Sequence, residues 1–553
     1  MTLPLRILAL IGAALGLLLG LPWLALMALA GQLTSLPYAP FELFEWSTRL
    51  LPGGLITFGI EAMVSLLAGF NLGQTSQVAK TAEILMAYGL FLVMLAGLGA
   101  LFALILSRWR TSWVVPGALA GFVLALLTIA LAVWGGWHPA GDLGGLAWLL
   151  GVCLAWGLLL AWGLARSASA LSQEQDSGRR RFLGSMALGS LGVAIAALGL
   201  ERWLSRGEEA VTPMVEALQT PAPGLLPTPQ PATTGFSDTA GYSAVPGTRP
   251  ELTPIEDFYR VDINLLPPGQ GEVSNSAGNL VERLAIEGET DLPASSYVLV
   301  VDGLVENRLA FDLSAIKAFP QQQQYATLEC ISNPIGGDLI GTTLFQGVRL
   351  KDVIEKAVLL PEAVDIKFTC VDGYTESLPI ASAMDPRTLL CHSMGNEPLT
   401  EKHGAPIRLY TPNRFGMKNP KWIILIEAVS EDYQGYWEQR RWSEQAWVQT
   451  TSVIDAANPS GGLVKVGGIA FAGARGISKV EIQADGGVWL PVQLNRPLSP
   501  LTWVLWSASL QLDPGEHAIT VRAVDGDGGI QTADVAPTHP DGATGYHSLS
   551  INA

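Results

Sequence analysis

Five side chains in the second half of the sequence have types and spacing that could do chemistry: Cys330, His403, Arg408, Lys418 and Lys421. Cys330 closes the alternating run Tyr325–Cys330 and is followed by Ile-Ser-Asn-Pro-Ile-Gly-Gly-Asp. A strand running into a Pro/Gly turn leaves its last side chain at the lip of a sheet, where a thiolate serves as a nucleophile or a soft-metal ligand. Taken alone, a lone cysteine reads more simply as a small buried hydrophobe. Cys370 and Cys391, in the apolar settings FTCV and LLCH, read the same way or as one disulfide. The run from His403 to Arg408 leads through a strand to Gly416-Met-Lys-Asn-Pro-Lys421-Trp. A His, an Arg and two Lys around Gly/Pro turns offer donors and backbone N–H groups to an anion. Read locally, they are surface charges.

The elements that must position these residues follow from texture. Short strands are expected at Tyr297–Val301, Tyr325–Cys330 and Trp422–Val429, and helices at Leu350–Val358 and Pro379–Met384. From about Thr450 the helical signals vanish. Short β runs divided by turns recur there about every ten residues, the spacing of an immunoglobulin-like sandwich. Upstream, residues 207–250 are rich in Pro, Thr, Ala and Gly and read as a semi-stiff linker.

The first part of the chain has another character. Of 553 residues, 49% are hydrophobic and 15% charged, averages that exclude a disordered chain. Residues 1–206 hold 11 Lys/Arg and 8 Asp/Glu (+3), and the remaining 22 of 33 and 41 of 49 give −19 for 207–553. Such an acidic body has no basic stripe for nucleic acid. Apolar runs at Leu5–Ala30, Leu51–Phe70, Ile84–Leu106, Trp113–Trp134, Leu143–Leu164 and Phe182–Leu200 each approach the roughly 20 residues that span a bilayer. The weakest, Leu51–Phe70, opens with Pro-Gly-Gly and carries Glu61; this favours five spans over six. Arginines at 108, 110, 166 and 179–181 put those flanks on the cytoplasmic side of the cell membrane and residues 207–553 outside it. The runs hold no histidine, and His138 lies between two of them, so haem ligation is excluded there. Gly178-Arg-Arg-Arg-Phe-Leu183 resembles a twin-arginine export signal, or is an ordinary basic flank.

The motifs Thr-Leu-Glu-Cys330-Ile-Ser-Asn, His403-Gly-x-Pro-x-Arg408 and Gly416-Met-Lys-Asn-Pro-Lys421-Trp, together with Asp257-Phe-Tyr-Arg-Val-Asp262, resemble the sulfite oxidase family of molybdopterin enzymes over about residues 251–553. The resemblance implies a multi-pass α-helical membrane domain (1–206) and linker (207–250), then an α+β sulfite-oxidase-like molybdopterin domain (251–449). An immunoglobulin-like β-sandwich of the dimerisation type (450–553), with Gly467–Gly473, ends the chain. It implies Mo-molybdopterin as cofactor, with Cys330 as the metal ligand. Tyr259, Arg260, His403, Arg408, Asn419, Pro420 and Lys421 match cofactor contacts, and Cys370 matches a pterin contact. Catalytic roles fall to Cys330 and Trp442. An export route for folded, cofactor-loaded proteins fits this picture.

Departures from the family pattern bear on substrate. Sulfite oxidases place two arginines four and five residues after the ligand cysteine; here those positions are Pro334 and Ile335. The tyrosine they keep beside the metal corresponds to Trp442. Trp442, Trp447, Tyr436 and Phe345 suit a neutral or apolar substrate. The nearest functional type is the exported periplasmic methionine-sulfoxide reductase catalytic subunit. The expectation is an oxidoreductase that transfers an oxygen atom by reducing a neutral sulfoxide or N-oxide, small-molecule or protein-bound, outside the cytoplasmic membrane. Its electron partner would be a quinone or a cytochrome, and its assembly a homodimer. Sulfite oxidation and a non-catalytic tethered module are the alternatives.

Overall fold

The computed structural model describes residues 5–34, 36, 38–50, 75–106, 113–134, 139, 142–172, 188–197, 242–263 and 297–553. They form two compact units. The first contains α1 (Leu5–Leu33), α2 (Ala39–Leu50), α3 (Thr75–Leu106), α4 (Val114–Trp134), α5 (Leu143–Ser172) and the shorter apolar helix α6 (Leu188–Ala197). Of these, α1, α3, α4 and α5 are long and apolar enough to cross a membrane. Their packing uses small residues: a Cβ on Gly12 of α1 would sit 2.2 Å from the Gly99 carbonyl oxygen of α3. Backbones approach that closely only where both sides lack a side chain. Four of the six expected runs are these helices, and the sixth is described only as α6. Leu51–Phe70, Glu61, His138 and the arginines at 179–181 lie outside the described residues, as does the linker up to 241.

The second unit carries every residue singled out for chemistry. Its strands are β1 (Val298–Gly303), β2 (Leu309–Asp312), β3 (Gln321–Glu329), β4 (Ile340–Arg349), β5 (Asp365–Cys370), β6 (Thr375–Pro379), β7 (Leu389–Met394), β8 (Glu397–Pro398), β9 (Arg408–Tyr410) and β10 (Ile423–Val429). One sheet has the order β2-β1-β10-β5-β6, with β1 and β10 parallel. The other has the order β3-β4-β7-β8, with β9 on β7. Between strands lie α7 (Leu313–Lys317), α8 (Leu350–Ala357) and α9 (Ile380–Ala383). In α8, Leu350, Val353, Ile354 and Ala357 recur at helical spacing and are all buried in the core of the first sheet. Each large one contributes about 1.5–3 kcal/mol by leaving water. β3 begins at Gln321, earlier than the expected Tyr325, because its four glutamines pair with Phe345–Val348. Polar residues on both faces hide such a strand from periodicity.

Two four-stranded sheets follow, built from β11 (Thr451–Ser460), β12 (Leu463–Phe471), β13 (Ile477–Ala484), β14 (Leu490–Pro491), β15 (Gln493–Leu494), β16 (Val504–Gln511), β17 (Glu516–Asp525) and β18 (His547–Asn552). Their orders are β11-β12-β16-β15 and β14-β13-β17-β18. Val464, Val466 and Trp506 of the first share one core with Val480, Ile519 and Val521 of the second. Residues 242–250, the expected end of the linker, are packed. Asn458 donates to the Pro246 carbonyl, and Arg249 pairs with Asp455 and donates to the Gly337 carbonyl beyond Cys330. The proline-rich composition concealed these anchors because each partner is distant in sequence.

Candidate active site

Cys330 follows the last residue of β3. Its backbone N–H donates to Leu339 O (2.9 Å), and its carbonyl accepts from Asn333 N (3.0 Å), so the 330–339 loop folds back on itself. The thiol is buried and lies 3.0 Å from the Ser332 hydroxyl. Burial pushes it above the ordinary thiol range, against the pull of Ser332 and Lys421. A coordinated metal reverses that balance, because a ligating thiol is deprotonated. Glu329, just before it, is also buried and pushed up to about 7 by desolvation, with Asn333 donating to one oxygen.

Around Cys330 the structure gathers most of the expected cofactor contacts. Phe258 and Tyr259 stack at 5.5 Å, and Phe258 meets the His403 ring edge-on at 5.9 Å. The tip of Tyr259 reaches the turn at Gly416, where an added Cβ would lie 2.6 Å from its hydroxyl and 3.7 Å from Cys330 Cα. Only glycine permits that approach. Arg408 donates to the His403 carbonyl (3.3 Å), bridges to Lys421 across the strand and sits over Phe345. Arg260 and Lys421 both pair with Asp262, whose side chain is fully buried. Asn419 spends its amide within its own loop, accepting from Thr411 N and donating to Phe415 O. The neighbouring Pro420 carbonyl accepts from Leu409 N. Cys370 ends β5 with its thiol beside the Lys421 backbone. His403 is held neutral, lowered to about 4 by burial and then by Arg408 and Lys421.

Three donors in this neighbourhood are buried without a protein partner: the Tyr259 hydroxyl, Arg260 Nη2 and Arg408 Nε. Each such group costs about 1–3 kcal/mol if left bare. A cradle of unmet donors beside buried cations fits an anionic, hydrogen-bond-accepting cofactor such as molybdopterin.

The expected apolar wall is only partly assembled. Trp442 is buried in one cluster with Ile331, the residue after Cys330, and meets Trp437 and His539 edge-on. Phe345 does not join it. It has no exposed surface, because central strand β4 buries it under Tyr410, which it stacks on at 4.9 Å. Tyr436 packs with Tyr374 and Arg440, and Trp447 lies under the Arg414 guanidinium at 3.5 Å. Cys370 and Cys391 are free and buried rather than paired. Ser332, Glu376 and Glu438 were not anticipated, nor were the buried ion pairs in which Lys418 and Asp262 take part. Arg260-Val-Asp262 was open to an i, i+2 reading as one strand face, whereas Lys418 and its partners have no local signature.

A family model described as the oxidoreductase molybdopterin-binding domain matches residues 286–437. The sulfite oxidase of Arabidopsis thaliana is 27% identical over 352 residues, 51% of this chain and 83% of that protein. The human mitochondrial sulfite oxidase is 26% identical over 301 residues, and the match covers 45% of this chain and 55% of that enzyme. The chain thus spans about half the length of the animal relatives. The uncharacterized oxidoreductase YuiH of Bacillus subtilis is 31% identical over 145 residues, 26% of this chain and 71% of that protein. With the unmet donors around Cys330, these likenesses make the chain a Mo-molybdopterin-dependent oxidoreductase, and it belongs to the sulfite oxidase family.

Proposed function

We propose that this oxidoreductase transfers an oxygen atom from a neutral sulfoxide or N-oxide, on the outer side of a membrane to which its apolar helices anchor it. The observation that carries the reading is the half-buried Pro334 and Ile335 on the Cys330 loop, with Trp442 in the same buried cluster as Ile331. A charged oxyanion would need guanidinium forks there, each worth about 1.5–3 kcal/mol. A neutral oxide needs only an apolar wall and one open position at the metal. The −19 charge of residues 207–553 also disfavours an incoming anion.

In this reading Cys330 ligates the metal, and Ser332 orients its sulfur. Tyr259, Arg260, Arg408 and Lys421 supply donors to the pterin and phosphate, while neutral His403 braces Phe258 and Arg408. Asn419 and Pro420 shape the closing loop, and Cys370 meets the pterin edge. The molybdenum centre supplies two-electron oxygen-atom exchange; the protein binds, orients and excludes water. The last eight strands form an immunoglobulin-like sandwich that pairs two copies, and electrons come from a quinone or cytochrome.

Sulfite oxidation is the second reading. Relatives are named sulfite oxidases, and Arg440 and Arg441, beside Trp442, are the cations such a reading would recruit. The deciding experiment compares sulfoxide reduction by reduced viologen with sulfite oxidation by ferricyanide on one molybdenum-replete preparation. Saturable sulfite turnover faster than sulfoxide reduction, at micromolar substrate, would overturn the proposal.

A further inference from the structure

We infer that Lys418 is a positioning residue for the substrate side of the site: through two buried ion pairs it fixes the segment bearing Trp442 against the turn that touches Cys330. The inference rests on the proposed reading of Trp442 as the substrate wall. The Lys418 side chain is 2% exposed, and its ammonium reaches Glu376 Oε1 at 2.8 Å, the Ser377 carbonyl at 3.2 Å, and Glu438. Glu376 and Glu438 side chains are 0% and 1% exposed. The three groups come from three places: the 416–418 turn, β6 and the 438–440 turn.

On one side, Gly416 abuts the Tyr259 hydroxyl and Cys330. The turn it opens is tied down by Lys418 N to Phe415 O (3.0 Å) and by Thr411 Oγ1 to Lys418 O (3.2 Å). On the other side, Glu438 Oε2 accepts from Gly435 N at 2.7 Å, and Trp442 N donates to Trp437 O at 3.1 Å. Lys418 therefore spans from the Cys330 neighbourhood to the Trp442 neighbourhood. Tyr374 adds a cross-tie, its hydroxyl 2.7 Å from Met417 O and 3.0 Å from Glu376 Oε2.

A stability role explains this group poorly. Taking three ionisable groups out of water costs as much as their attraction returns, and apolar or neutral replacements are commonly tolerated. Directional, fully buried hydrogen bonds do specify one geometry, and the geometry specified here is the separation of two faces of the site. The demand is steep, because a 1 Å misplacement can cost about 100-fold in rate.

The test uses the full chain in detergent, loaded with molybdenum. It compares the parent with Glu438→Gln, with the charge-free triple variant Lys418→Met/Glu376→Gln/Glu438→Gln, and with Trp442→Phe. For each, metal content, melting temperature and hydrogen exchange over 433–442 are measured. KM and kcat are measured for dimethyl sulfoxide with viologen and for sulfite with ferricyanide. Both Lys418-group variants should keep their metal and melt near the parent, exchange faster over 433–442, and raise KM about 10-fold on whichever substrate turns over. Unchanged exchange, or unchanged KM in the folded triple variant, overturns the role of Lys418. If Trp442→Phe also leaves KM unchanged, the wall itself was misassigned. A parent that oxidises only sulfite rejects the substrate reading, and the Lys418 comparison is then read on sulfite.

Discussion

The Ser332 hydroxyl lies 3.0 Å from the Cys330 thiol, so the expected metal ligand has a hydrogen-bond partner within its own turn. Burial and Glu329 oppose ionisation of that thiol, and Ser332 and Lys421 favour it. In cofactor-free protein, Ser332→Ala should move the midpoint of Cys330 alkylation to higher pH. Cys330→Ser should abolish turnover while leaving the fold intact, since only one metal–sulfur bond is lost. Turnover by a metal-free preparation, or a Cys330→Ser variant as active as the parent, would sink the ligand assignment.

Asp262 holds two cations at once, Arg260 and Lys421. Lys421→Met removes one of two cations from a fully buried carboxylate that keeps Arg260, so the cost falls below the roughly 3–5 kcal/mol of a buried pair broken outright. We expect a lower melting temperature together with loss of bound pterin. Asp262→Asn should cost at least as much stability, because it leaves the Arg260 and Lys421 cations without the carboxylate they share. Pterin released on denaturation, measured beside the melt, checks both; full pterin content in Lys421→Met would exclude that lysine from cofactor binding.

Acid should destabilise this protein through its buried imidazoles. His392 and His403 are each lowered to about 4, mainly by burial, so the folded state prefers them neutral. The stability this represents is fully present above about pH 6.5 and is lost as pH falls through about 4. His392 lies between Gln321 and Ser393, 2.7 and 2.9 Å away, and needs no cofactor. His392→Gln should flatten the stability profile between those pH values by about 3 kcal/mol. In the opposite direction Glu329, Asp372 and Glu376, each pushed up to about 7 by burial, withdraw stability as pH rises from about 4.5 towards 7. A His392→Gln profile identical in shape to the parent's between about pH 4 and 6.5 contradicts the imidazole argument.

The proposed membrane topology rests on the arginine flanks in the sequence and on four helices long and apolar enough to span a bilayer. An alkaline phosphatase fused after Ala553 should be active and a fluorescent cytoplasmic reporter there dark; the reverse pattern inverts the orientation. Arg179→Lys with Arg180→Lys separates the export routes. Unchanged translocation would make the stretch a plain basic flank.

Periodicity and local chemistry were enough to find β1, β10 and α8, because each buries apolar residues at a spacing of its own. The apolar runs that became α1, α3, α4 and α5 were equally plain, since length and composition alone define them. The roles expected of Cys330, His403, Arg408 and Lys421 came from the family resemblance their motifs carry, since each residue read alone is a buried thiol or a surface charge. Tertiary structure decided what stands next to what. Phe345 and Trp442 are both large apolar residues in sequence, yet β4 sinks one beneath Tyr410 while a turn places the other in the buried cluster that holds Ile331. The Glu376–Lys418–Glu438 group joins residues 42 and 20 positions apart. A buried charge is tolerated only where folding delivers its partner, and no local pattern records that delivery.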